Sequence, residues 1–235
     1  MDFFPEILLI SLIAGIVSID TTSGWQVMIS QPVVSCPIIG LIFGDPQLGL
    51  WMGMLLELPW LINIPLGGTH GSEGNLGAVV ATTLSIYFKS NEVNTENIVI
   101  IISIMYSLVI SRAGAYLVEY VRRANLALIH AADRAASRAD LKKITQLNYI
   151  GVIYSFLSGF FLVGIGFTAG VILLKPLAAF IHPEFNFAFG MAKYGLLGLG
   201  IGAVATLFIN RKTKWFAVVP FLAGIAIFIF VAILK

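Results

Sequence analysis

"GLWMGMLLELPWLINIPLGGTHGSEGN" runs from Gly49 to Asn75, and one residue in it, Glu57, decides how the chain is read. From Leu48 to Leu66 no other side chain carries a formal charge. A carboxylate near the centre of a bilayer costs about 2.5–3.5 kcal/mol on insertion scales, so a residue of this kind is functional by default or is offset by a structural partner. Two roles are open to Glu57: a ligand-binding carboxylate, or one that caps a broken helix or pairs with a basic residue.

The surrounding composition shows that the setting is a membrane. Of 235 residues 58% are hydrophobic and only 11% charged, and the mean hydropathy is +0.95. Soluble domains carry about 25% charged residues, so this chain has too few polar side chains to coat a water-soluble globule. The expected class is an all-α, polytopic membrane protein. A net charge of +2 does not point to nucleic acid, because the basic residues are grouped as membrane orientation requires. Cys36 stands alone, which excludes an internal disulfide, and its apolar neighbours suit a small buried hydrophobe. "MDFFPEILLI" has acidic residues where a secretory signal would be basic, so no signal peptide is expected.

Spans need about 20 apolar residues. Asn97–Val118, Ile150–Leu174, Tyr194–Ile209 and Trp215–Leu234 supply them. The first third differs, with three apolar pieces, Glu6–Ile19, Val33–Phe43 and Leu76–Phe88, each too short to cross alone. Pro32, Pro37, Pro46, Pro59, Pro65 and Gly67-Gly68 punctuate this region. Short pieces of this kind predict broken or re-entrant half-helices, which transporters use to place backbone groups at a midplane site; kinked ordinary spans are the plainer reading. Gly40-x-x-x-Gly44 and Gly49-x-x-x-Gly53 flank Asp45 and favour close helix packing. "FGDPQ" around Asp45 reads as a turn at a membrane surface whose Asp caps a helix.

Orientation follows from Arg112, Arg122, Arg123, Arg134, Arg138, Lys142 and Lys143, and from Arg211, Lys212 and Lys214, two clusters that should face the cytoplasm. "FIHPEFN" between them would then be outside. Val121–Thr145 is Ala-rich with spaced charges and no Gly or Pro, which favours helix, lying on the cytoplasmic surface or extending a span into the cytosol. The organisation expected is one membrane domain over 1–235. Its parts are a substrate-lining core over about 1–90, a cytoplasmic amphipathic segment over 119–147, and hydrophobic spans over 148–235.

No zinc motif and no phosphate-binding Gly-rich loop occur, and the three histidines are far apart in sequence; no metal, cofactor or catalytic residue is expected. What remains is a polar set in the broken apolar region: Gln31, Asp45, Glu57, Asn63, Thr69, His70, Ser72, Glu73 and Asn75. Carboxylates with amides suit a polyol, whose hydroxyls donate to Glu and accept from Asn or Gln. "GGTHGSEGN" lets backbone amides approach a ligand closely. Of this set Gln31, Glu57, Asn63, Thr69, His70, Glu73 and Asn75 are the candidate substrate-binding residues. His130 sits on the amphipathic stretch, where a solvated histidine is the ordinary case.

The run "QPVVSCPIIGLIFGDPQLGLWMGMLLEL" resembles the signature of the IIC membrane subunit of the mannose/fructose/sorbose family of the bacterial sugar phosphotransferase system. The ordered elements are Gln31-Pro32-Val33-Val34, then Gly40 to Asp45, then Gly-x-x-x-Gly-x-x-Leu-Glu from Gly49 to Glu57. "HAADRAA", His130 to Ala136, resembles a His-Ala-Ala-Asp-Lys-Ala-Ala stretch downstream in that family. The resemblance covers 1–145 by motif and the rest by hydropathy. After Glu57 the chain departs from the family: "Met-Asn-Ile-Gly-Ala-Ala" and "Ala-Pro-Asp" are replaced by Asn63-Ile64-Pro65-Leu66 and "GGTHGSEGN". The resemblance implies a multi-pass permease subunit of the bacterial cytoplasmic (inner) membrane. It would bind a hexose in a mobile core, sit among membrane lipid in an oligomer with a IID-type subunit, and hand sugar to cytoplasmic IIA and IIB, which carry the phosphorylated histidines. Two other classes stay open: a secondary transporter or small-solute sensor on the same fold without phosphoryl transfer, and a non-transporting scaffold, which would not need the buried polar set.

Overall fold

The computed structural model describes residues 3–61, 73–90 and 96–208. Seven α-helices make up this part: α1 (Phe3–Thr22), α2 (Pro32–Ile42), α3 (Pro46–Trp60), α4 (Gly74–Ser90), α5 (Glu96–Ala136), α6 (Leu141–Phe180) and α7 (Asn186–Phe208), with a 3₁₀ turn at Pro183–Phe185 before α7. Four helices are long and apolar enough to cross a membrane, and they lie within α1, α5, α6 and the 3₁₀–α7 unit. The expected span at Trp215–Leu234 lies outside the described residues.

α1 corrects one expectation. The apolar piece taken as too short, Glu6–Ile19, is the middle of a helix of 20 residues. Pro5 falls in its first turn, where no intrahelical N–H is needed. At the other end Thr21 and Thr22 hydroxyls donate back to the carbonyls of Val17 and Ser18 (2.9 and 3.0 Å), so polar residues extend the helix instead of ending it.

α2 is the short piece expected at Val33–Phe43, and it pairs with α3, a short helix that the run lengths did not single out. They have 11 and 15 residues, about 16 and 22 Å at 1.5 Å per residue, and each falls short of a hydrocarbon core about 30 Å thick. Proline starts both: Pro32 and Pro46 occupy first-turn positions, while Pro37 and Pro59 lie inside the helices without ending them. The hairpin closes backbone to backbone. A Cβ on Gly49 would lie 2.6 Å from the Cys36 carbonyl oxygen and 2.8 Å from the Gly40 Cα, and one on Gly53 would lie 2.8 Å from the Pro32 carbonyl oxygen. Gly44 serves otherwise than as a packing glycine. Its φ of +85° makes the turn after α2, a conformation that is strained for any residue with a side chain. Asp45 then caps α3 as expected, accepting from the Leu48 N–H at 3.0 Å.

Lys89, near the end of α4, bonds Asp45 at 2.7 Å and Glu96 at 3.4 Å, so the α2–α3 turn, the end of α4 and the start of α5 share one end of the molecule. Asn97 and Asn186 add the start of α7 to that end through two hydrogen bonds, 3.0 and 3.2 Å. Burial pushes the Asp45 carboxyl up, but the bonds from Lys89 and the Leu48 N–H outweigh it and hold it below its ordinary value. Lys89 is raised, chiefly by its bond to Asp45.

α5 and α6, 41 and 40 residues, are about 60 Å long and overrun a bilayer core by about half their length. The amphipathic segment is therefore the extension of two spanning helices. It is not one continuous helix, however, because a turn interrupts it at Ser137–Asp140. Ala139 has a φ of +53°, and Asp140 caps α6 by accepting from the Lys143 N–H at 3.0 Å. α1 returns along α6 through small residues, where a Cβ on Gly159 would meet the Ala14 carbonyl oxygen at 2.5 Å and Ser18 and Ser158 hydroxyls meet at 3.3 Å. Close approach through small residues is how membrane helices associate without a hydrophobic driving force.

Candidate functional site

Glu57 lies one turn before the end of α3 and twelve residues from Asp45, about 18 Å along the helix. Its Oε2 accepts from the Val33 N–H at 3.0 Å. Val33 is the second residue of α2, so the carboxylate sits on the N-terminus of a half-helix. Unsatisfied N–H groups and a partial positive charge are concentrated there, and a carboxylate is favoured. Such a position offsets part of the cost of a carboxylate in apolar surroundings. The capping role left open in the sequence is thus real. It does not exhaust the group, since a carboxylate has about four acceptor positions and Val33 takes one.

Gln31 is the residue that precedes α2 and is extended (φ −64°, ψ 138°); its side chain does not cap the helix, while its carbonyl accepts from the Val34 and Ser35 N–H groups (2.9 and 2.8 Å). Gln31 and Glu57 therefore flank the same helix terminus. Glu73 and Asn75 meet at the start of α4. Glu73 is only 6% exposed, and its N–H donates to the Ser111 carbonyl at 3.0 Å. The Asn75 amide reaches the Thr21 hydroxyl at 3.5 Å.

One contributor was missed in the sequence. Asp20, near the end of α1, is 2% exposed, with both carboxylate oxygens engaged: Oδ1 accepts from the Val27 N–H (2.8 Å) and Oδ2 from the Ser30 N–H (2.9 Å). It anchors the connection to α2, in which Trp25, Gln26 and Met28 all have left-handed φ (50°, 52° and 68°). Each such residue costs about 1–2 kcal/mol, and the charge-assisted bonds to Asp20 offset this. The signal was present, for Asp20 ends an apolar run just as Glu57 interrupts one.

Asp20 joins the two groups. Four contacts in space are joined by short stretches of chain into a circuit: Glu57 with the Val33 N–H, Asp20 with the Ser30 N–H, Asn75 with Thr21, and Gly74 against the Trp60 ring, which a Cβ on Gly74 would strike at 2.3 Å. Trp60 is three residues from Glu57, which closes the circuit. Asn63, Thr69, His70 and Ser72 lie outside the described residues. They lie between Leu61 and Glu73, which are next in the chain to Trp60 and Gly74 of this circuit. His130 is exposed on the α5 extension, away from it. Among the described residues no cluster of metal-ligating side chains occurs.

The arrangement brings a half-helix N-terminus, a carboxylate with spare acceptor capacity, an amide and buried carboxylates to neighbouring elements. The family profile described as "PTS system sorbose-specific IIC component" matches residues 4–234. The sorbose-specific EIIC component of Lacticaseibacillus casei is 32% identical over 123 residues, 52% of this chain and 42% of that one. The mannose-specific EIIC component of Escherichia coli K12 is 26% identical over 118 residues, 50% of this chain and 41% of its own. The matched stretch thus spans under half the length of these relatives. In fold, a solved structure described as a membrane protein superposes with a TM-score of 0.75 at 19% identity, covering 100% of this chain and 94% of its own. A chain of the mannose transporter ManYZ in complex with microcin E492 superposes at 0.59 and 20% identity, covering 93% and 84%. An all-α multi-pass chain whose signature motifs form one half-helix hairpin, and whose whole length matches that profile, belongs to the sorbose-specific IIC family of the phosphotransferase system.

Proposed function

We propose that this chain is the sugar-translocating IIC subunit of a mannose-family phosphotransferase system in the bacterial cytoplasmic membrane, binding a hexose at the Glu57 circuit. The observation that carries this reading is Glu57, half-buried, on the N-terminus of α2, with Gln31 preceding the same helix. A hexose donates hydroxyls to Glu57 and accepts from the amides of Gln31 and Asn75. Asn63, Thr69, His70 and Glu73 belong to the same proposed site. The basic tip of the α5–α6 hairpin, with Arg134, Arg138, Lys142 and Lys143, faces the cytoplasm, which puts the Asp45–Lys89 end outside.

The family match supports the partner reading: phosphorylation falls to cytoplasmic IIA and IIB. A IID-type membrane subunit packs on α7, where a Cβ at Gly195, Gly198 or Gly202 would meet nothing within 4 Å; glycines open to the outside allow close helix approach. The test is uptake of labelled mannose, fructose or sorbose into vesicles holding this chain and its IID-type partner, with and without a phosphorylated IIB donor. Sugar phosphate accumulating only with the donor is the expected result. Free sugar accumulating without donor and collapsing with an ionophore would overturn it in favour of secondary transport.

A further inference from the structure

A second polar feature lies apart from the Glu57 circuit. At the Asp45–Lys89 end a cavity of about 190 Å³ opens between α3, α4, α5 and α7, with Trp51, Lys89, Glu96, Lys193 and Tyr194 in its wall and Met52 and Ile100 among its apolar lining. Its four walls are tied together by polar contacts at that end: Lys89 joins α4 to Asp45 and Glu96, and Asn97 joins α5 to Asn186 of α7. The site is therefore preformed. Lys89 is occupied by its two carboxylates, whereas Lys193 has no ion-pair partner among the described residues.

We propose that this cavity is an outer-face site for a neutral monosaccharide, separate from the Glu57 circuit. This proposal rests on the sugar-permease reading for its orientation and ligand class. Size argues for a single sugar ring, since pockets for drug-sized ligands run to about 300–1,000 Å³. Charge argues for a neutral one, because Glu96 repels an anion and Lys193 a cation, while hydroxyls donate to the first and accept from the second. Trp51 and Tyr194 supply flat apolar faces for the C–H side of the ring, with a polar edge toward water. Such a site captures sugar at the surface and holds it against α3, the helix that also carries Glu57.

The test uses the full chain with its partners in right-side-out vesicles. Gln47 is an exposed rim residue and Cys36 is fully buried, so Gln47→Cys gives one accessible thiol, labelled from outside by an impermeant maleimide. The expected result is that mannose, fructose or sorbose at ten times its Kd slows labelling about tenfold by simple occupancy, that sucrose does not, and that Glu57→Gln leaves the protection in place. Lys193→Gln and Trp51→Ala should each abolish it. Protection that vanishes with Glu57→Gln, that sucrose reproduces, or that no monosaccharide gives would overturn the proposal. Donor-dependent uptake, measured alongside, reports on the permease reading by itself: protection without uptake would sink that reading and leave the cavity as a sugar site.

Discussion

Glu57 has two tasks, and replacing it by glutamine and by alanine separates them. Glutamine keeps an oxygen in position to accept the Val33 N–H, so the α2 cap survives and only the charge–dipole part is lost, about 0.3–1 kcal/mol at a helix end and up to about 2 where partly buried. Alanine also leaves that N–H without its partner, adding about 1–3 kcal/mol. For ligand binding the order of effects differs. A hydroxyl bonded to a carboxylate contributes about 1.5–3 kcal/mol against about 0.5–1.5 for a neutral acceptor, so glutamine should weaken hexose binding by about 1–1.5 kcal/mol per bond, roughly tenfold in Kd. Thermal unfolding of the purified complex should thus fall slightly for Glu57→Gln and clearly for Glu57→Ala. Calorimetric titration with the transported hexose should show the tenfold loss already in the glutamine variant. Unchanged affinity in a folded Glu57→Gln protein would refute the ligand role and leave Glu57 as a cap alone.

Four further outcomes follow from the packing. Gly49→Ala drives a methyl into the backbone of α2 and should destabilise the hairpin by about 1–3 kcal/mol, while Gly202→Ala, with open space around it, should be neutral or stabilising in the isolated chain; paired melting curves check this. Asp20→Asn turns an amide against one of two N–H donors and should cost about 1–3 kcal/mol, with proteolysis between Gly24 and Ser30 rising more than elsewhere. A cysteine at Ser137, in the α5–α6 turn, should react with impermeant maleimide only in inverted vesicles, and labelling from outside would reverse the orientation assigned here. Asp45 is held below its ordinary 3.8, so its contribution to stability is present above that value and is lost as the pH falls through the lower folded value. Melting temperatures between about pH 6 and pH 3 should drop more steeply in the parent than in Asp45→Asn.

Hydropathy alone was enough to place this chain in a membrane, because a chain with so few charges has no other solvent compatible with its surface. Proline placement and run length pointed to broken helices in the first third and marked α2 among them, since both are local properties, whereas α3 was not singled out. The ordered motif from Gln31 to Glu57 carried the family, and three of its glycines, Gly40, Gly49 and Gly53, are now seen as backbone contacts between the two helices while Gly44 makes the turn. Asp45 as a cap was legible because capping acts over three residues. What Glu57 touches was not, because Val33 lies twenty-four positions away and only the folding back of α3 onto α2 brings them together. Asp20 escaped for a related reason: its partners are backbone N–H groups of a connection with no sequence signature, in left-handed conformations adopted by Trp, Gln and Met. The turn at Ser137–Asp140 escaped too, since Ala139 adopts a conformation usually left to glycine. Only tertiary structure made Lys89 the tie between three helices, because ion pairs depend on distances that sequence spacing does not encode.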